Sequence, residues 1–301
     1  MKKESGRRDF LLSVGGIALG TFIPNYLTAQ ESGTKRDVIL CFDGNKNAQK
    51  WRRVLDFGKE LEDITQKPAH FTIFGNSCFL VSKGSGHSEI GWGGSKEDID
   101  ERIKLTQEAI DSGHEFASHT VRHLHGGNWS YQQWYDELAE FDETIAKTFV
   151  DVKGEPYKSV GFRAPFLEFN SNMFKALGEL NYVYDTSPPG NSTSVRNGVI
   201  VIDCPIWQRP NGKSVLGMDY NWMVSSVSNQ ELTTMLEREG AKRDPFIISM
   251  HFTDYKPGVY GEPYITAVEN FMREGAKEGR FNFPSGIEYV EANKDKLVRS
   301  R

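Results

Sequence analysis

Runs of β-branched and apolar residues, four to six long, alternate along this chain with longer amphipathic stretches, and that order leaves few architectures open. The runs are Val38–Phe42, His70–Phe74, Glu115–Ser118, Ser159–Phe162, Val199–Asp203 and Phe246–His251. The stretches Ala48–Thr65, Lys96–Ser112, Tyr131–Phe149, Ser171–Leu180, Gln230–Glu239 and Pro263–Gly279 carry apolar residues three and four apart and read as helices. A strand that reaches its neighbour through a helix must pair with it in parallel, so the repeat predicts a parallel sheet wrapped by helices. No Pro-rich or charged break divides residues 37–301, which predicts one barrel-like domain.

Four of these segments run into a residue able to do chemistry: Phe42 into Asp43, Ser118 into His119, Phe162 into Arg163, and Met250 into His251. Parallel barrels build their active sites at the C-terminal ends of the strands, so the repetition points to a catalytic mouth. His119 and His123 lie four apart; on one helical turn both imidazoles would face the same way and could grip one ion. Taken alone the pair reads either as a metal grip or as two surface histidines. Asp43 reads as a base or ligand at the mouth, or as the cap of the helix beginning near Ala48.

The balance of 36 Lys and Arg against 41 Asp and Glu, a net charge of −5, is not segregated into basic stripes, which argues against nucleic acid as a partner. Cys41, Cys78 and Cys204 are odd in number and widely spaced, so they read as small core residues rather than a disulfide or zinc framework. Lys2, Lys3, Arg7 and Arg8 precede the apolar run Phe10–Ile23, which is too short and Gly-rich to span a bilayer. Residues 1–30 therefore read as an export signal, with Gly6-Arg7-Arg8-Asp9-Phe10 similar to a twin-arginine motif, and residues 31–36 as a linker. The expected location is periplasmic or secreted, with membrane contact only in transit. The Gly-rich stretch 84–94 reads as a long loop after the second strand, where His87 and Trp92 either meet substrate or sit in an ordinary surface loop.

Taken in order, these segments resemble the motifs of the NodB-like polysaccharide deacetylases of carbohydrate esterase family 4. Phe42-Asp43 stands where that family has a strand ending Phe-Asp-Asp, which supplies a catalytic base and a metal ligand. His119-Thr120-Val121-Arg122-His123 stands at its paired-histidine element, and Arg163-Ala164-Pro165-Phe166 at the Arg-x-Pro-Tyr element that lines the groove. Met250-His251 resembles the last motif, whose His is the general acid, and Asn181–Ser187 and Val201–Pro205 resemble strand elements lying between.

The resemblance implies a distorted (β/α)7–8 barrel of the polysaccharide deacetylase type. It further implies Asp43, Arg163 and His251 as catalytic groups and His119, His123 and Asp43 as ligands of a divalent metal, zinc first, with cobalt, nickel or manganese as alternatives. Pro165, Phe166 and Asp185 become candidates for binding an N-acetylated glycan, chitin-like or peptidoglycan-like. One departure stands out: the second Asp of the family's pair is Gly44, and Asn45 is a poor substitute ligand. Three other readings stay open. The same barrel could cleave cyclic amides, as Tyr184-Asp185-Thr186-Ser187 would suit, or acetyl esters, or it could bind glycan silently with Gly44 marking a lost metal. Trp92, Trp129, Trp134, Trp207 and Trp222 are candidate sugar-stacking rings, though Trp134 falls in a helical pattern that reads as core.

Overall fold

The computed structural model describes residues 35–82, 94–251 and 261–299. The expected export signal at 1–30, most of the linker, and His87 and Trp92 lie outside the described residues. Twelve strands and eight helices follow in chain order among the described residues. The strands are β1 (Arg36–Asp43), β2 (Thr72–Gly75), β3 (Glu115–Ser118), β4 (Gly161–Phe162), β5 (Tyr184–Asp185), β6 (Pro189–Gly190), β7 (Thr193–Arg196), β8 (Val199–Ile202), β9 (Cys204–Gln208), β10 (Ser214–Leu216), β11 (Phe246–His251) and β12 (Phe281–Asn282). The helices are α1 (Ala48–Thr65), α2 (Lys96–Asp111), α3 (Tyr131–Thr148), α4 (Ser171–Glu179), α5 (Asp219–Val224), α6 (Asn229–Lys242), α7 (Gly261–Lys277) and α8 (Gly286–Arg299).

The main sheet runs β11, β1, β2, β3, β4, β5, β8, with every pairing in that series parallel. Antiparallel β7 flanks β8, and β12 pairs with the start of β1, so Arg36, expected in the linker, already belongs to a strand. The curl is that of a distorted barrel and is not completed by strand pairing between β8 and β11. The outer edge of β11 meets a chain segment instead: Ser249 N donates to Gly217 O at 2.9 Å, beside a Met218–Ser249 bridge. Strands β6, β9 and β10 form a small separate sheet from which that segment emerges.

Alternation along the strands decides what faces inward. In β1, Val38, Leu40 and Phe42 join the large cluster shared with the outer helices, while Ile39 and Cys41 join an inner cluster with Phe74, Ala117, Tyr184 and Ile247. Asp43 continues the inner series, as His251 does after Ile247 in β11. Outside, Trp51, Phe57, Leu105 and Phe141 pack the helices onto the sheet. The helices start where the sequence says they should: Ser95, Ser130 and Ser228 cap α2, α3 and α6, each in a reciprocal box with Asp98, Gln133 or Glu231. Cys41, Cys78 and Cys204 are all buried, and burial raises their thiols to about 12, 12 and 11, so they are inert core residues. Trp134, Trp207 and Trp222 are fully buried, which removes all three as sugar-stacking rings; for Trp207 and Trp222 this corrects the expectation.

Candidate active site

Asp43 and Arg163 meet across the mouth of the barrel. Arg163 is fully buried and Asp43 almost so, and Arg163 Nη1 donates to Asp43 Oδ1 at 2.7 Å. The guanidinium is further fixed by Nε donating to Thr186 Oγ1 at 2.9 Å and by the ring of Phe74 lying 4.4 Å below it. Burial alone would raise the Asp43 carboxyl, but the opposing Arg163 charge, with His119 and His251, holds it below the usual range. Asp43 is therefore ionised at neutral pH.

His251 faces the second oxygen of Asp43, its Nε2 lying 4.0 Å from Oδ2. It is held by a residue that the sequence reading missed. Asp219, buried at the start of α5, accepts from His251 N at 2.9 Å and from His251 Nδ1 at 2.6 Å. Burial opposes a charged ring, yet the Asp219 carboxylate outweighs it and raises His251 above the ordinary histidine value. No strand-end pattern marks Asp219; the only signal was an acidic residue opening a short helical segment.

His119 and His123 come together, but not on a helical turn. Residues 119–123 form an irregular loop, with Thr120 at φ 67° and His123 at φ 53°, and this corrects the helical reading. The loop brings the two rings to a 4.9 Å centroid separation by a different route. What holds such a backbone is Glu137 of α3, a second residue missed: it accepts from Val121 N at 3.1 Å and Arg122 N at 2.8 Å, and pairs with the Arg122 guanidinium. From the other side Asn76 Nδ2 donates to the carbonyls of His119 and Thr120.

His119 Nδ1 lies 2.7 Å from Arg163 O, and a carbonyl can only accept, so Nδ1 carries the hydrogen and Nε2 the lone pair. Burial lowers His119 to about 3 and lowers His123 as well, so both rings are neutral, the form that binds metal. The pair thus fits a divalent ion as two imidazole donors. Asp43 does not complete a triad with them: among the described residues no group of three His, Cys, Asp or Glu side chains is gathered to hold a metal. Gly44 sits at φ 87°, a backbone that disfavours a side chain, with its N–H donating to Phe74 O at 2.8 Å. Asn45 is fully buried and its amide oxygen already accepts from Asn76 N at 3.0 Å, so it supplies no ligand either.

Of the expected substrate contacts, Phe166 stands on the rim, 52% exposed, while Pro165 is buried at its base. Asp185 is fully buried, and its oxygens take Ser187 N and Ser187 Oγ, whose Oγ in turn accepts from Ala164 N at 2.8 Å. It supports the Arg163–Phe166 loop from beneath and presents no surface to a ligand.

The sequence matches the family model described as polysaccharide deacetylase over residues 30–184, a span that contains Asp43, His119, His123 and Arg163 and stops before Asp219 and His251. Among curated proteins none matches. Solved structures similar in fold include a provisionally named polysaccharide deacetylase from Mycobacterium smegmatis, at TM-score 0.62 and 15% identity, covering 90% of this chain and 94% of that one. A family 4 acetyl xylan esterase from Clostridium thermocellum, solved with a cobalt ion, aligns at TM-score 0.55 and 16% identity over 85% and 91%. A carbohydrate esterase family 4 pseudoenzyme from Bacillus anthracis aligns at TM-score 0.51 and 14% identity over 86% and 66%.

Removing one member of a buried ion pair strands the other charge in a poorly solvating interior. Arg163→Ala should therefore destabilise the fold by about 3–5 kcal/mol. The double replacement Arg163→Met with Asp43→Leu should cost far less than the single change, as read by urea denaturation with Asp43→Leu alone as the control.

Proposed function

The chain belongs to the polysaccharide deacetylase family, and on that footing we propose that it removes acetyl groups from an N-acetylated polysaccharide or oligosaccharide by hydrolysis. The observation that carries the reading is the pairing at one mouth of an ionised acceptor, Asp43 on Arg163, with a proton donor, His251 on Asp219, 4.0 Å apart. Amide cleavage needs both. Asp43 takes a proton from the attacking water as its oxygen adds to the acetyl carbon. When the C–N bond breaks, His251 gives its proton to the departing nitrogen, which leaves as a neutral amine beside free acetate. Arg163 keeps Asp43 ionised and aimed, and Asp219 favours the protonated form of His251 and aims it through Nδ1.

His119 and His123 are the residues that would hold a divalent ion, most naturally zinc, with cobalt, nickel or manganese as alternatives. Such an ion would polarise the acetyl carbonyl and ease deprotonation of water.

A second reading, a silent glycan-binding protein, is favoured by Gly44 and by the missing third donor among the described residues; one protein of similar fold is itself a pseudoenzyme. Metal analysis together with acetate release separates the two. The deacetylase reading expects about one ion per chain, lost in His119→Ala, and acetate freed from N-acetylated glycan oligomers. No bound ion after zinc or cobalt is added, and no acetate, would leave the binding protein.

The pH profile tests the donor. Asp43 is held low and His251 high, so activity should appear above the depressed Asp43 value and fall as pH rises through the raised His251 value. Asp219→Asn removes the charge that raises His251, so the alkaline limb should move to lower pH while the acid limb stays. An unmoved alkaline limb would exclude His251 as the acid.

The basic start and apolar run Phe10–Ile23 support export of the chain. Replacing both Arg7 and Arg8 by Lys should hold the protein in the cytoplasm; unchanged export on cell fractionation would exclude the twin-arginine route.

A further inference from the structure

The wall of the site beside His123 is built from stacked rings. Phe166 meets His123 edge-on at 4.7 Å and lies face to face with His125 at 3.8 Å, with planes only 10° apart. Phe166 at 52% and the His125 side chain at 70% exposure both face solvent, so burial does not explain the stack. Its backbone is costly as well. Phe166 and Leu167 follow one another at φ 57° and 56°, in the left-handed region that side chains with a Cβ avoid.

Glu168 is what keeps this arrangement. One carboxylate oxygen accepts from His125 Nδ1 at 2.9 Å and the other from Gly127 N at 3.1 Å, which ties the loop after β4 to the loop after β3. A large apolar ring left half in water forgoes part of the stabilisation that its burial would contribute. Here it is also fixed by a strained backbone and two carboxylate bonds. That combination fits a surface kept rigid for a flat, partly apolar ligand.

We propose that Phe166 and His125, locked by Glu168, form a platform on which a pyranose ring of the bound glycan stacks beside His123. This rests on the glycan reading above. A pyranose has one face of C–H groups, which suits the stacked rings, and a rim of hydroxyls, which suits the partly exposed Glu168 carboxylate and the imidazole edge. His125 is then a specificity-determining residue, acting on how tightly a sugar chain is held rather than on the bond broken.

The test uses the full chain with soluble N-acetylglucosamine oligomers of increasing length, followed by direct binding titration and by acetate release. His125→Ala should weaken binding and raise KM by about two- to tenfold with a smaller change in kcat. His125→Tyr, which restores a ring, should recover most of the loss. A merely structural role would lower kcat and stability together and would not be rescued by tyrosine. Wild-type protein that releases acetate while His125→Ala keeps its KM and affinity overturns the platform and leaves the deacetylase standing. Wild-type protein that binds oligomers through His125 without releasing acetate supports the platform and sinks the deacetylase. Wild-type protein that neither binds nor turns over any oligomer overturns both.

Discussion

A guanidinium with no exposed surface, bonded to a carboxylate with almost none, is the interaction around which the mouth of this barrel is arranged. Each ion would be costly there alone, so each requires the other and the groups around them. Thr186 takes the Arg163 Nε, Phe74 lies under the guanidinium, and Arg163 O fixes the tautomer of His119. One residue thereby couples the charge of Asp43 to the tautomer of His119. The ends of β1, β3, β4 and β5 are held together by this set of contacts.

A second set of contacts works against backbone preference. Thr120, His123, Phe166 and Leu167 all occupy the left-handed region, and all four line or support the same site. Their conformations survive because buried or ionised acceptors over-determine them: Glu137 grips the 121–122 backbone, and Glu168 joins Gly127 to His125. The loops at the strand ends are thus rigid for electrostatic rather than apolar reasons. The apolar packing lies below them, in the inner cluster of Ile39, Phe74, Ala117 and Ile247.

Gly44 has a local meaning of its own. At φ 87°, with its N–H bonded to Phe74 O, it turns the chain sharply out of β1 into the loop before α1. The position that the related pattern fills with a second carboxylate is spent here on a turn. That leaves the histidine pair without a third protein donor among the described residues, and leaves Asp43 committed to Arg163 and His251.

Much of this was legible in the sequence. The period of apolar residues placed α1 at 48–65 and β11 at 246–251, because that signal is local. Asp43 and His251 were found because each closes an apolar run, and the strand end is where a parallel barrel places its site. The two-residue strand β5 and the six-residue α5 were too short to register as a period, and α5 carries Asp219. The histidine pair was found by spacing, but its geometry was misread, because Glu137 and Asn76 come from distant parts of the chain and force a loop where a helical turn was expected. The burial of Asp185, Trp207 and Trp222 was likewise invisible along the chain. Sequence alone determined which residues close the strands at the mouth; only the tertiary structure decided which carboxylate holds which cation, because those partners lie on separate elements, 32 and 120 residues apart.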